Sequence, residues 1–183
     1  MEHERELLRI FAELFDYPVT DLAETAASGA RLLPAGSLPA SALEQFAALA
    51  RQQGTAGLQE LYTYTFDLQP LCAPYLGYQL CGEDQRRGLF LVQLQQLYQR
   101  HGFTVGAELA DHLAPVLRFL ALAPDSPERQ PLVEDALIPV LAKMAAAFTD
   151  PEHPYGRLLA ALHSCLDPSA ALAADRNPEV AHG

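Results

Sequence analysis

Apolar residues in this chain recur at intervals of three and four, and almost nowhere at two. Leu7, Leu8, Phe11, Leu14 and Phe15 form one such stripe, which Pro18 ends. A weaker helix is expected from Asp21 to Leu33, interrupted by Gly29 and stopped by Pro34. Ser41 and Glu44 stand at capping-box spacing, where the two side chains can satisfy each other's backbone donors. The helix they open would carry Leu43, Phe46, Ala47 and Ala50 and close at Gly54. Thr55 can cap the next one, with Leu58, Leu61, Tyr62, Thr65 and Phe66 on one face. Pro70 and Pro74 prevent a smooth continuation.

Tyr75 to Leu80 reads as a short helix or turn, broken at Gly82. Glu83 and Asp84 then open a long helix to Arg100, where negative charge suits the exposed backbone donors. Gly102 is a natural residue just past its end. Asp111 is expected to cap the following helix, with Pro115 in its first turn and Leu113, Val116, Leu117 and Leu120 facing inward. Ser126-Pro127 opens another helix, which meets Pro139 in mid-course and should kink there. The last helix starts near Pro154 and buries Tyr155, Leu158, Leu159, Leu162 and Leu166. The pattern implies one all-α domain, a bundle of about eight or nine helices over residues 1–166. Residues 167–183, poor in large apolar groups, are expected to be a mobile tail.

Composition narrows the setting. With 183 residues and 50% apolar content, the chain can bury a substantial core. No apolar run is long enough to span a bilayer, and the charged Met1-Glu-His-Glu-Arg-Glu6 start does not resemble a signal peptide, so a cytoplasmic protein without stable membrane insertion is expected. The formal charge of −11 repels phosphate backbones and argues against nucleic-acid binding, while it favours a basic partner. Cys72, Cys81 and Cys165 are odd in number and far apart, which suits free thiols in a reducing compartment better than a disulfide framework or a zinc ribbon. The six histidines show no His-Glu-x-x-His spacing. No glycine-rich phosphate loop and no nucleophile elbow is present. Neither a catalytic role nor a metal or cofactor is therefore expected.

The stretch from Glu60 to Phe103 instead gathers aromatics, acids and a proline-broken turn between two helices. Tyr62…Phe66-Asp67, Pro74-Tyr75, Arg87-Gly88, the Leu94…Tyr98…Gly102-Phe103 helix end and Glu108-Leu-Ala-Asp-His-Leu113 follow in order. In these residues the chain, from about Leu7 to Leu166, resembles the nitrate reductase delta-subunit family. These are the NarJ-like and TorD/DmsD-like maturation chaperones of molybdenum enzymes. Ala110-Asp111-His112 stands where the TorD and DmsD branches usually have Pro-Asp-His, which leans toward the NarJ-like side.

The resemblance implies a TorD-like helical bundle and a non-enzymatic role. It implies binding to the N-terminal region, a twin-arginine leader or its remnant, of an immature molybdenum oxidoreductase catalytic subunit until the cofactors are inserted. The Asp111-His112 pair matches a motif linked in that family to leader binding. The residues alone also allow a purely structural pair, with Asp111 capping and His112 in the first turn. Tyr62, Phe66, Tyr75 and Tyr78 form a second peptide-binding candidate: Tyr62 and Phe66, at helical spacing, also read as core residues, whereas Tyr75 and Tyr78 lie in an irregular link and suit gripping a peptide. Asp67, Glu108 and Asp111 could face arginines of the client. Arg87, followed by Gly88, is expected to hold neighbouring carboxylates or carbonyls in place. A small-molecule sensor or enzyme on a helical scaffold and a passive scaffold subunit are the alternatives. The client and the oligomeric state stay open, a homodimer by domain swapping through the proline-rich links included.

Overall fold

The three-four apolar spacing folds as expected into helices. The computed structural model describes residues 2–68 and 72–167. The tail expected from Asp167 lies, beyond that residue, outside the described residues, as does the part of the proline link at 69–71. Helix α1 (Glu2–Leu14) buries Leu8, Ile10, Phe11, Ala12 and Leu14. Helix α2 (Ala23–Arg31) begins where Asp21 Oδ1 accepts the Ala23 N–H at 2.8 Å. Gly29 does not interrupt it. A Cβ there would sit 2.9 Å from Ile10 Cγ2 and 3.2 Å from Leu43 Cδ1, so the glycine lets α1 and α3 approach α2 closely.

Helix α3 (Leu38–Tyr62) starts earlier than the Ser41–Glu44 box implied. Ser37 caps it through the Ala40 N–H at 3.3 Å, and Pro39 occupies the first turn, where no backbone donor is needed. Ser41 is instead inside the helix, accepting from Gln45 Nε2 at 3.1 Å. Gly54 breaks α3 in two with φ +66° and ψ −178°, as its position suggested. The chain then widens into a π-helical turn, Thr63–Asp67.

Helix α4 (Leu76–Cys81) is short and is followed by α5 (Gln85–Arg100), which Asp84 caps. Helix α6 (Leu113–Leu122) is buried nearly all round, which marks it as the central helix of the bundle. Ser126 accepts from the Glu128 N–H at 3.3 Å, and the regular turn α7 (Arg129–Pro131) begins just after, later than the Ser126-Pro127 reading placed it. The irregularity expected near Pro139 takes the form of a π-helical segment, Leu132–Leu137, which places the proline in the first turn of α8 (Ile138–Ala146). Helix α9 (Pro154–Leu166) closes the bundle.

Helix α1 packs on α6 and α2, α3 on α2 and α9, and α8 on α9. Where these meet, an aromatic cluster fills the core. Tyr155 stands 4.8 Å from Phe66 and 5.5 Å from Phe46 between ring centroids, and Tyr62 stands 4.9 Å from Phe66. Helix α4 rests on α5 and α8, and Lys143 of α8 donates to the Gln79 carbonyl of α4 at 2.6 Å. Among the described residues there is no strand, and the one isolated antiparallel bridge joins Tyr75 to His112.

Candidate functional site

That bridge builds the site. The Leu76 N–H donates to the Asp111 carbonyl at 2.7 Å and the Leu113 N–H to the Pro74 carbonyl at 2.8 Å. Two segments of irregular chain, one before α4 and one before α6, are thereby held side by side. Pro74 lacks a donor but keeps its acceptor, so it can serve this pairing. Tyr98 anchors the second segment from α5 by donating to the Ala110 carbonyl at 2.9 Å.

The cap of α6 is His112 rather than Asp111. Its Nδ1 accepts the Ala114 N–H at 3.1 Å. With Nδ1 an acceptor, the neutral ring carries its proton on Nε2, which faces Tyr62 Oη at 3.2 Å. Tyr62 in turn donates to the Phe15 carbonyl at 3.4 Å. The His112 ring nitrogens and the Tyr62 hydroxyl thus all have partners. His112 is only 1% exposed, and burial depresses its pKa against the upward pull of Glu108, Asp16 and Asp111. The expectation of Asp111 as the cap with His112 in the first turn is therefore corrected: the His112 ring is a buried, neutral cap.

Asp111 is 0% exposed, and its charge is answered by Arg87. Nε donates to Oδ2 at 3.0 Å and Nη2 to Oδ1 at 3.4 Å. A charge so deeply desolvated needs this pairing. Arg87 thus holds a neighbouring carboxylate, as expected, and its guanidinium also lies 5.4 Å from the Tyr75 ring centre and 5.8 Å from that of Tyr78. Gly88 beside it is exposed, with open space where a Cβ would be, so nothing packs against it. The glycine that matters is Gly77, which the sequence reading passed over. A Cβ there would lie 2.8 Å from Asp111 Oδ2 and 3.0 Å from both Arg87 Cγ and Phe90 Cδ1.

Above the buried layer sits a half-buried rim. Tyr75 packs edge-on against His112, 5.1 Å between ring centres, and donates to Glu108 Oε2 at 3.2 Å. Burial and then the Glu108 charge push its hydroxyl pKa up to about 12. Asp67, exposed at the end of the π-helical turn, adds to the same negative field. Tyr78 is half-buried on α4. Tyr62 and Phe66, candidates for peptide contact, are corrected: both are buried in the core, the other reading that their helical spacing allowed, and offer a client no surface. Beside the rim opens a cleft of about 310 Å³ lined by Asp16, Tyr17, Glu108, Pro115 and Arg118. Asp16 and Arg118 form an ion pair across it from positions far apart in the chain, which no local motif could announce.

The structure therefore gathers the sequence candidates into one region, buried below and half-open above, in which Gly88 has only open space beside it. Among the described residues no group of three His, Cys, Asp or Glu side chains is placed to hold a metal ion, and no helix is long and apolar enough to cross a membrane. What the site can do is grip: apolar ring faces, a fixed guanidinium and carboxylates at the edge.

An all-helical bundle with a buried Arg-Asp-His junction under a tyrosine rim is the class of protein so defined. The family model for the nitrate reductase delta subunit matches residues 34–161, and the chain belongs to that family. It is 31% identical over 111 residues to a Bacillus subtilis protein named as a nitrate reductase molybdenum cofactor assembly chaperone, NarJ. That match covers 60% of this chain and 59% of the relative, so the chain spans about three fifths of the length of the curated protein it matches. A crystal structure described as a redox enzyme maturation protein, from Archaeoglobus fulgidus, has the same fold. Its TM-score is 0.58 at 21% identity, covering 85% of this chain and 90% of that one.

Proposed function

We propose that this chain is a cytoplasmic assembly chaperone for a molybdenum oxidoreductase of the nitrate reductase kind. It binds the N-terminal segment of the immature catalytic subunit, a basic leader or its remnant, while the cofactor is inserted. The observation that carries this reading, beside family membership, is the rim of Tyr75, Tyr78 and Glu108 on a rigid, fully satisfied Arg87-Asp111-His112 base. Rigid tyrosines give contact area at small entropic cost, and a carboxylate at the edge pairs with arginine. Asp111 and His112 act through the rim, holding it rather than touching the client.

The test is calorimetric titration of the N-terminal peptide of the catalytic subunit into the chain and its variants. Glu108→Gln and Tyr78→Ala should each weaken binding about tenfold or more, the scale of a charge-assisted contact or an interface tyrosine, and melt within a few degrees of wild type. Unchanged binding in both variants would move the site away from the rim. Failure of the wild-type chain to bind any such peptide would remove the chaperone reading itself.

A further inference from the structure

The cleft beside the rim is one positive charge short. Its charged lining is Asp16, Glu108 and Arg118. Both Asp16 oxygens are engaged: Oδ2 accepts from Arg118 Nη2, and Oδ1 accepts the Tyr17 N–H at 2.9 Å. The Asp16 and Arg118 charges cancel. Glu108 is different. It is half-buried, its Oε2 accepts the Tyr75 hydroxyl at 3.2 Å, and among the described residues no cation pairs with it. A carboxylate offers about four lone-pair sites, so Glu108 can still take a two-pronged donor.

The other walls are apolar or bare. The Tyr17 ring stands edge-on against buried Tyr62, 5.6 Å between centres, and is still 42% exposed. Val19, 76% exposed, and the buried Pro115 give apolar surface to the stem of a long side chain. At Gly106 an added Cβ would meet nothing within 4 Å, so that side is open. A volume of about 310 Å³ lies at the bottom of the roughly 300–1,000 Å³ of ligand pockets, and suits one long side chain better than a larger molecule.

We propose that, given the chaperone reading above, this cleft takes a single arginine side chain of the client. The stem lies along Val19 and Pro115, the guanidinium plane on the Tyr17 ring, and its fork on Glu108. Lysine fits worse, because its ammonium is a compact, strongly hydrated point charge that neither stacks flat nor matches both carboxylate oxygens. A second arginine finds no carboxylate here, since Asp16 is already held by Arg118.

Calorimetric titration of the N-terminal peptide of the catalytic subunit tests this, with each of its basic residues replaced in turn by citrulline or by lysine. At one arginine, and one alone, both replacements should weaken binding to the wild-type chain about tenfold, the scale of a hydrogen-bonded charge. Gly106→Leu fills the cleft from its open side and removes no charge. Tyr17→Leu removes the ring face and no charge. Each variant should bind the unaltered peptide about tenfold more weakly, and on each the citrulline replacement should cost little more, as expected of groups that touch. Lysine equal to arginine at every position, unaltered binding by both variants, or losses in chain and peptide that simply multiply would overturn the proposal while the chaperone reading stands. A wild-type chain that binds no such peptide would remove both.

Discussion

Gly77 has no room for a methyl group, and the atoms that exclude it are those of the buried ion pair. In an open helix Gly→Ala stabilises by roughly 0.5–1 kcal/mol. Here Gly77→Ala should instead cost about 1–3 kcal/mol, as over-packing does. For a chain of this size that lowers the melting temperature by about 2–4 °C per kcal/mol. An unchanged or higher melting point would mean that Arg87 and Asp111 yield easily. His112 predicts a pH effect whose sign follows from its neutral cap. Its folded pKa lies below the ordinary value of about 6.5, so below that pH the unfolded chain takes up the proton first. The His112 contribution is complete above about pH 6.5 and is lost as pH falls toward the folded pKa. His112→Asn keeps a good capping residue and removes the titration. Its melting temperature should therefore fall less than that of wild type between about pH 7.5 and 5.5. Equal slopes would show that protonation of His112 does not oppose folding. Asp111-His112 could be singled out in the sequence as a helix-opening pair, but its division of labour could not. Both residue types cap helices, and which of the two does so depends on Arg87, 24 positions away, claiming the carboxylate.

Helices were legible because their cause is local. The stripes of α1, of the second half of α3 and of α9 are where apolar spacing placed them, and Pro18, Gly54 and Pro154 bound them as expected. The start of α3 was misjudged by a few residues because Ser37 and Ser41 are both competent caps, and Pro39 settles which is used. Gly29 was misjudged for a different reason: its purpose is contact with Ile10, a tertiary fact. The break at Gly54 carries its own test. Its φ of +66° with extended ψ is a conformation in which side-chain-bearing residues are strained by about 1–3 kcal/mol. Gly54→Ala should therefore destabilise by that order. If the helix simply ran through, the same substitution would stabilise, so the sign of the change in denaturant midpoint decides.

At the scale of the whole molecule, charge and topology act together. The bundle brings Asp16, Asp67, Glu108 and Asp111 to one side from three separate parts of the chain. Sequence could show that the acids exist but not that they converge. Convergence predicts that peptide binding weakens as salt rises, because attraction between exposed groups is screened within about 8 Å at physiological ionic strength. The ring faces of Tyr75 and Tyr78 should keep a residual affinity at high salt. Binding indifferent to salt would leave the acidic side of the molecule without a part in recognition.

Lys143 is the sole lysine of the chain, and its amine is tied to the Gln79 carbonyl of α4, the helix that carries Tyr78. An acylating reagent therefore meets one side-chain amine, exposed on α8, and acylation removes the ammonium that ties α8 to α4. The extent of its modification, read by mass spectrometry, is a built-in report on how open this stretch of α8 is to solvent. Slower modification on addition of client would register cover of α4 and its neighbour α8 without any engineered label.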